Sequence, residues 1–514
     1  MEKMYLLWGV LALLMSAEAR PNIIIIMADD MGWGDIGVNW PQTVDTPTID
    51  QLAQQGLRLT DFHAGASVCT PSRAALLTGR LGLRTGVTKN FGADALGGIP
   101  SNETTVAEIL QAAGYRTAML GKWHLGTRKG HHPLDKGFQS YLGVPYSLDM
   151  GCADPPGANI PACPACPEDN SVYRFVSAPE SCYMGTALPL YQDKTVSHQP
   201  VELAQLTTMY AEFAKNFIQN ASSSAPYFLY AALSHMHVPL AQAEKYSNVT
   251  GRGEYADTLR EMDGLVESIL SAVGDSVNNT LIWFTSDNGP WQVKCGLAGS
   301  VGPYLGMWQA SDQGGGGGSV AKMTVWEAGH RVPSILYWPG HIQAGRVSGA
   351  LTSALDIVPT LTALGEGNLP SDRQFDGTDM TPIITGSSET IRNVLYHPNS
   401  GVGESGVIGA VRIDNYKVVY YSGGVPDCSG GAGPEQNLTD TPLVFDVGSD
   451  DSESSPLDKT SSEYQQIVEL ATQYLLDLQH NISTDNTSSV DYQSGEQGRV
   501  CCDQDSPICR CPWD

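Results

Sequence analysis

Four short apolar runs share one habit that narrows the fold more than any other feature: each stops abruptly at polar residues able to do chemistry. Asn22 to Met27, with its four isoleucines, runs into Ala28-Asp29-Asp30. Tyr115 to Leu120 delivers Gly121-Lys122-Trp123-His124, and Tyr227 to Leu233 delivers Ser234-His235-Met236-His237-Val238-Pro239. Leu281 to Thr285 ends in Ser286-Asp287-Asn288-Gly289. Continuous apolar runs of this length suit strands covered on both faces, as in a parallel sheet. Helical patterns lie between them. Thr46-Pro47 opens a helix through Leu52 that closes at Gly56, Thr105 and Glu108 form a capping box for one ending at Gly114, and Leu203 to Ile218 and Asp257 to Val273 have helical spacing. This alternation predicts an α/β fold with a large mixed, mostly parallel sheet flanked by helices. Ligands of such sheets bind beyond the carboxyl ends of the strands, so the four polar strand ends are expected to meet on one edge.

The remaining chain organises around that sheet. Ser334 to Tyr337 reads as a further strand and Asp356 to Leu364 as a helix. A composition shift near Pro382 to Glu389 sets the expected division: residues 20–385 as the α/β domain and 386–514 as a smaller α+β domain with an antiparallel sheet. In the latter, Gly409 to Tyr421 and Leu443 to Asp446 read as strands and Glu463 to His480 as a helix. Gly143 to Cys182 reads as a disulfide-stapled loop, and Gly296 to Ser319, which ends in five glycines, as a mobile loop.

Residues 1–19 carry Lys3, an apolar run from Tyr5 to Met15 and the small-x-small pattern Ala17-Glu18-Ala19, which reads as a cleaved secretory signal. Seven Asn-x-Ser/Thr triplets, at Asn102, Asn220, Asn248, Asn278, Asn437, Asn481 and Asn486, agree with that route. The product is expected to be secreted or lysosomal and not transmembrane; a homo-oligomer is compatible with the sequence. A formal charge of -26 argues against a nucleic-acid partner, which needs basic patches. Eleven cysteines are an odd number, so an oxidising compartment leaves at least one over. They group as Cys152, Cys163, Cys166 and Cys182; Cys295 and Cys428; and Cys501, Cys502, Cys509 and Cys511, which leaves Cys69 alone, though spacing does not fix the pairing.

Cys69 begins the stretch Cys-Thr-Pro-Ser-Arg-Ala-Ala-Leu-Leu-Thr-Gly, whose apolar run would put the cysteine at a helix start, where backbone N–H groups favour anions. The paired carboxylates Asp29 and Asp30 are either a solvated turn or ligands of a divalent cation. With Asp287 and Asn288 they form a hard oxygen set of the kind Ca²⁺ or Mg²⁺ prefers. Arg73, Lys122, Lys322 and the histidines supply positive charge for an anion pocket.

Ser67 to Gly79 resembles the signature of the sulfatase family through all its positions, and Gly114 to His124 resembles the family's second motif. The likeness extends over most of the chain and looks closest to the arylsulfatase A type. It implies an alkaline-phosphatase-like fold and hydrolysis of small-molecule or glycoconjugate sulfate esters. It also implies that a formylglycine-generating enzyme oxidises Cys69 to formylglycine, and that one Ca²⁺ per chain is held by Asp29, Asp30, Asp287, Asn288 and the modified Cys69. Arg73 and Lys122 would steady the formylglycine hydrate, and Asp287 would be the base for its attack on sulfur, forming a sulfo-enzyme intermediate. His237 and Lys322 would help the alcohol leave, His124 would assist release of sulfate, and Ser147 would contact the sulfate. His237 is preferred to His235 because it stands in His-x-Pro. Ala328, where the family usually has a second glycine, and the lengthened loop before Lys322 bear on specificity. A phosphate-ester hydrolase and an idle extracellular scaffold are the competing readings; Cys69 in its motif speaks against the first and the complete set of polar residues against the second.

Overall fold

A computed structural model describes residues 20–153, 186–221, 225–401, 403–505, 509 and 511. The expected signal segment lies outside the described residues, as do Cys163, Cys166 and Cys182. The four polar-ended runs are strands β1 (Asn22–Ala28), β2 (Arg116–Gly121), β3 (Tyr227–Ala232) and β4 (Thr280–Ser286). They lie side by side in the order β4-β1-β3-β2, all parallel, at the centre of a sheet of ten strands among the described residues. Ser334–Tyr337 pairs antiparallel with β4, and the far edge turns antiparallel from Leu190–Gln192 onward, so the sheet is mixed but mostly parallel, as the alternation predicts.

The central strand shows why its sequence has no polar alternation. Ile23, Ile25 and Met27 pack into one apolar core, and Ile24, Ile26 and Ala28 into the core on the opposite face. Helices supply both covers: Val106–Ala112 and Ile357–Leu364 on the first side, Leu206–Gln219 and Glu254–Val273 on the second. The capping box of Val106–Ala112 is formed in both directions, with Glu108 N–H donating to the Thr105 hydroxyl at 3.2 Å and Thr105 N–H to the Glu108 carboxylate at 2.8 Å. Thr46 does not cap the helix Pro47–Gln55; its hydroxyl accepts from Gly37 N–H at 3.0 Å instead.

Beyond the large sheet, a separate four-stranded antiparallel sheet is made by Val394–Pro398, Ile408–Ile413, Tyr416–Val419 and Leu443–Asp446, and the helix Ser462–Ser483 packs on it. The run expected as one strand from Gly409 to Tyr421 is therefore a hairpin, broken where Asp414 takes a positive φ of 49°. The five glycines are not a free loop either. Gly315 and Gly317 N–H donate to the carbonyls of Trp308 and Gln309 at 2.8 and 2.9 Å, and Gly433 N–H closes on Gly317 at 3.0 Å. Disulfides join Cys295 to Cys428, Cys501 to Cys509 and Cys502 to Cys511; Cys152 is also disulfide-bonded, and Cys69 is a buried free thiol. No helix among the described residues is long and apolar enough to cross a membrane.

Candidate active site

The carboxyl ends of β1 to β4 are tied together by backbone before any side chain acts. Asp29 N–H donates to the His235 carbonyl at 2.6 Å, Met236 N–H donates back to the Asp29 carbonyl at 2.8 Å, and Asp287 N–H reaches the Ala28 carbonyl at 3.1 Å. Gly121 makes the turn into Lys122 with φ of 96°, and a Cβ there would lie 1.8 Å from the Ala232 carbonyl oxygen. Only glycine fits that close approach. Asp30 and His124, with φ of 61° and 59°, also sit in the left-handed region, uncommon for non-glycine residues and typical of functional turns.

Against this edge stands the helix Cys69–Thr78, buried along its whole length and closed by Gly79 at φ 69°. Its first turn is only partly open to an anion, because Asn90 Oδ1 takes the Thr70 N–H at 2.9 Å and Pro71 has none to offer. Side-chain cations carry most of the positive field instead.

Those side chains form one connected network. Lys122 Nζ bonds both oxygens of Asp29 at 3.0 and 2.7 Å and the Ser147 hydroxyl at 3.0 Å. Arg73 donates to Asp287 Oδ2 through Nε at 3.0 Å and Nη2 at 2.8 Å, lies 3.2 Å from Asp29 and spends Nη1 on the Lys122 carbonyl at 2.9 Å. Lys322 Nζ grips Asp30 at 2.6 and 2.8 Å. His237 Nε2 is 3.2 Å from the Ser147 hydroxyl and 3.5 Å from Asp30. Cys69 Sγ is 3.7 Å from Asp29 Oδ1. Asp29 and Asp30 are 0 % and 4 % exposed, which excludes the solvated-turn reading.

Burial on this scale is tolerable only because charges pair. Three carboxylates (Asp29, Asp30, Asp287) face three cations (Arg73, Lys122, Lys322). Burial pushes Asp29 up, but Lys122 and Arg73 outweigh it and hold the carboxyl well below its usual range. Burial dominates at Asp287, whose carboxyl rises to about 6 despite Arg73. The Cys69 thiol is pushed up to about 12, by burial first. Burial also lowers His237 and His124.

The structure brings Asp29, Asp30, Cys69, Arg73, Lys122, Ser147, His237, Asp287, Asn288 and Lys322 together. His124 sits to one side: its Nε2 meets the Phe91 carbonyl at 3.1 Å, its Nδ1 has no partner, and its own carbonyl accepts from Thr70 at 2.9 Å. His235 does not share the network; its Nε2 meets the Thr207 hydroxyl at 3.0 Å. Trp291 escaped the sequence reading. Its half-buried indole lies under Lys322 Nζ, 4.7 Å from the ring centre, and 5.5 Å from the His237 ring. An aromatic residue two positions after the polar strand end Asn288-Gly289 was the available signal.

The donor set fits a hard divalent cation. Asn288 spends Nδ2 on Asp30 at 2.7 Å, while its Oδ1 is buried with no partner. An orphaned buried oxygen costs about 1–3 kcal/mol. A cation held among Asp29, Asp30, Asp287 and Asn288 would satisfy it with the all-oxygen ligands that Ca²⁺ or Mg²⁺ takes.

Comparison with known proteins adds an independent line. Residues 21–367 match the family model described as sulfatase, and residues 391–511 match that of the C-terminal region of aryl-sulfatase. The chain is 50% identical to arylsulfatase G of Rattus norvegicus over 96% of its length and 93% of the relative's. It is 37% identical to arylsulfatase A of Homo sapiens over 85% of this chain and 83% of that one. The PsFucS1 sulfatase from Pseudoalteromonas sp. superposes with a TM-score of 0.75 at 26% identity, over 92% of both chains.

Proposed function

The chain belongs to the sulfatase family and is a sulfatase of the arylsulfatase type, and from that premise we propose that it cleaves sulfate monoesters with a formylglycine made from Cys69, supported by one Ca²⁺. One observation carries the proposal: Cys69, a buried free cysteine, lies with its Sγ 3.7 Å from Asp29 Oδ1, on the carboxylate that Lys122 and Arg73 also hold, so the group at position 69 stands inside the charged network. Asp29, Asp30, Asp287 and Asn288 would hold the cation, which would supply positive charge toward an anionic ester, and position 69 would supply the attacking oxygen as an aldehyde hydrate.

The chain's own residues do the remaining work. The three carboxylates and three cations of the network balance, so a bound divalent cation leaves a net positive pocket for an anionic ester. Arg73 and Lys122, fixed by Asp287 and Asp29, orient the group at position 69. Asp287 accepts the proton from the attacking oxygen. Lys122 and His237 both reach the Ser147 hydroxyl, so Ser147 and these two side chains bind the sulfate end. Lys322 lies beside the same carboxylate as His237, and the two assist the departing alcohol. His124, with a free Nδ1, assists sulfate release.

Disulfides and six exposed Asn-x-Ser/Thr asparagines, with the seventh, Asn481, half-buried, support a secretory route ending outside the cell or in the lysosome. Hydrolysis of a generic aryl sulfate by the secreted protein tests the function. Cys69→Ala should abolish turnover while leaving folding nearly unchanged, because no disulfide depends on Cys69; turnover retained by that variant would refute the proposal.

A further inference from the structure

Where the C-terminal sheet meets the body of the molecule, three histidines converge away from the site above. His63 ends the two-residue strand Phe62–His63, His330 ends the short helix Glu327–His330, and His397 belongs to Val394–Pro398 of the C-terminal sheet. Their exposures are 0 %, 2 % and 2 %.

Hydrogen-bond accounting makes this cluster unusual. His63 Nε2 lies 2.8 Å from Asp61 Oδ1, and His330 Nε2 lies 3.0 Å from the Val325 carbonyl oxygen. Arg331 and Arg412, at 3.3 and 2.9 Å, keep Asp61 ionised. A carboxylate and a carbonyl can only accept, so each Nε2 carries the ring hydrogen. Both Nδ1 atoms are then bare lone pairs, yet they face each other at 2.9 Å. Two lone pairs at that distance repel unless a cation shares the space. The third ring, His397, stacks on His330 at 3.6 Å, and its Nε2 has no partner. One ligand nitrogen from each of the three lies within 4.8 Å of the others.

The cation is a proton or a metal ion. A proton shared between His63 and His330 would leave the buried Nε2 of His397 without a partner, whereas a metal ion uses a nitrogen from each of the three rings. The charges around the cluster balance, with Asp61, Glu327 and Glu453 against Arg331, Arg412 and Lys417, so no surplus positive charge repels an ion. Donation of the outer N–H to a carboxylate and to a backbone carbonyl is also how metal-binding histidines are held in the correct tautomer.

We propose that His63, His330 and His397 form a second, structural metal site for an ion of the zinc class, bound through Nδ1 of His63 and His330. His397 completes it by turning its unpartnered Nε2 out of the stack. With zinc–nitrogen bonds of about 2.0–2.1 Å, the present 2.9 Å separation needs only about half an ångström of opening to reach tetrahedral geometry. Because His397 comes from the C-terminal sheet, the ion would staple that sheet to the body of the molecule.

The test is metal analysis of the full secreted chain, produced with zinc and washed with chelator, together with X-ray absorption at the zinc edge. The expected result is about one zinc per chain in a shell containing histidine nitrogen at about 2.0–2.1 Å. His397→Gln, which touches no catalytic group, should weaken zinc retention about 10–100-fold. If that variant does not fold, the absorption spectrum of the wild-type protein decides alone. Folded wild-type protein without zinc would overturn the proposal in favour of a shared proton. Zinc in an oxygen-only shell, or unaffected by His397→Gln, would overturn it by locating the ion elsewhere.

Discussion

Replacing Arg73 by lysine separates charge from geometry in the pocket. The guanidinium makes two bonds to Asp287, one to the Lys122 carbonyl and a 3.2 Å contact with Asp29, all fully buried. An ammonium keeps the charge but acts from a single point, so it cannot reproduce the fork. If two of these contacts are lost, at about 1.5–3 kcal/mol for each hydrogen bond to a charged group, Arg73→Lys should cost about 3–6 kcal/mol of local interaction. Loss of one preorganised donor lowers turnover about 10²–10³-fold. Steady-state hydrolysis of an aryl sulfate gives the second quantity, and denaturant unfolding of the same preparations bounds the first. A lysine variant with wild-type kcat/KM would refute the reasoning, since it would mean that positive charge alone suffices at this position.

Other consequences follow from the same geometry. His237→Gln should lower kcat/KM about 10²–10⁴-fold, whereas His235→Gln, outside the network, should leave it within a few-fold in the same assay. Chelation should abolish activity and added Ca²⁺ restore it. In the cation-free protein the Asp287 carboxyl, raised to about 6 from its ordinary 3.8, contributes stability that is fully present below about 3.8 and lost as pH rises through 6. Denaturation of the chelated protein from pH 4 to 7 should show that loss on top of those from Asp35, Asp356 and Glu453, raised to about 6, 6 and 7, and Asp287→Asn should make it smaller. Thr105→Ala should cost about 0.5–2 kcal/mol in unfolding without altering KM, because it removes the hydroxyl that caps Glu108 N–H at 3.2 Å and donates to the Lys136 carbonyl at 2.7 Å, both away from the site.

The central fold was readable because each of its strands is buried on both faces and ends at a functional turn. Continuous apolar runs meeting polar pairs at Asp29, Lys122, His237 and Asp287 are the direct imprint of a parallel sheet with its site at the carboxyl edge. What escaped the reading had a weak local imprint or none. The hairpin inside 409–421 carries apolar residues on both arms, and the pair Asp414-Asn415 that marks its turn is short enough to be read through. The five glycines are held by backbone bonds to Trp308, Gln309 and Gly433, which leave no side-chain pattern. His63, His330 and His397 are far apart in sequence and meet only through the packing of two sheets. Trp291 borders the site just past the polar strand end Asn288-Gly289, a placement that marks it without demanding an aromatic residue there. The motif around Cys69 pointed to its chemistry through resemblance; the structure adds the burial and carboxylate contact that make an unmodified thiol a poor nucleophile there.

Mass analysis of the peptide containing Cys69, from protein made in a secretory host, tests the account most directly. An aldehyde in place of the thiol, in the same preparation that turns over an aryl sulfate, is the predicted result. An intact cysteine in protein that still turns over the ester would contradict it.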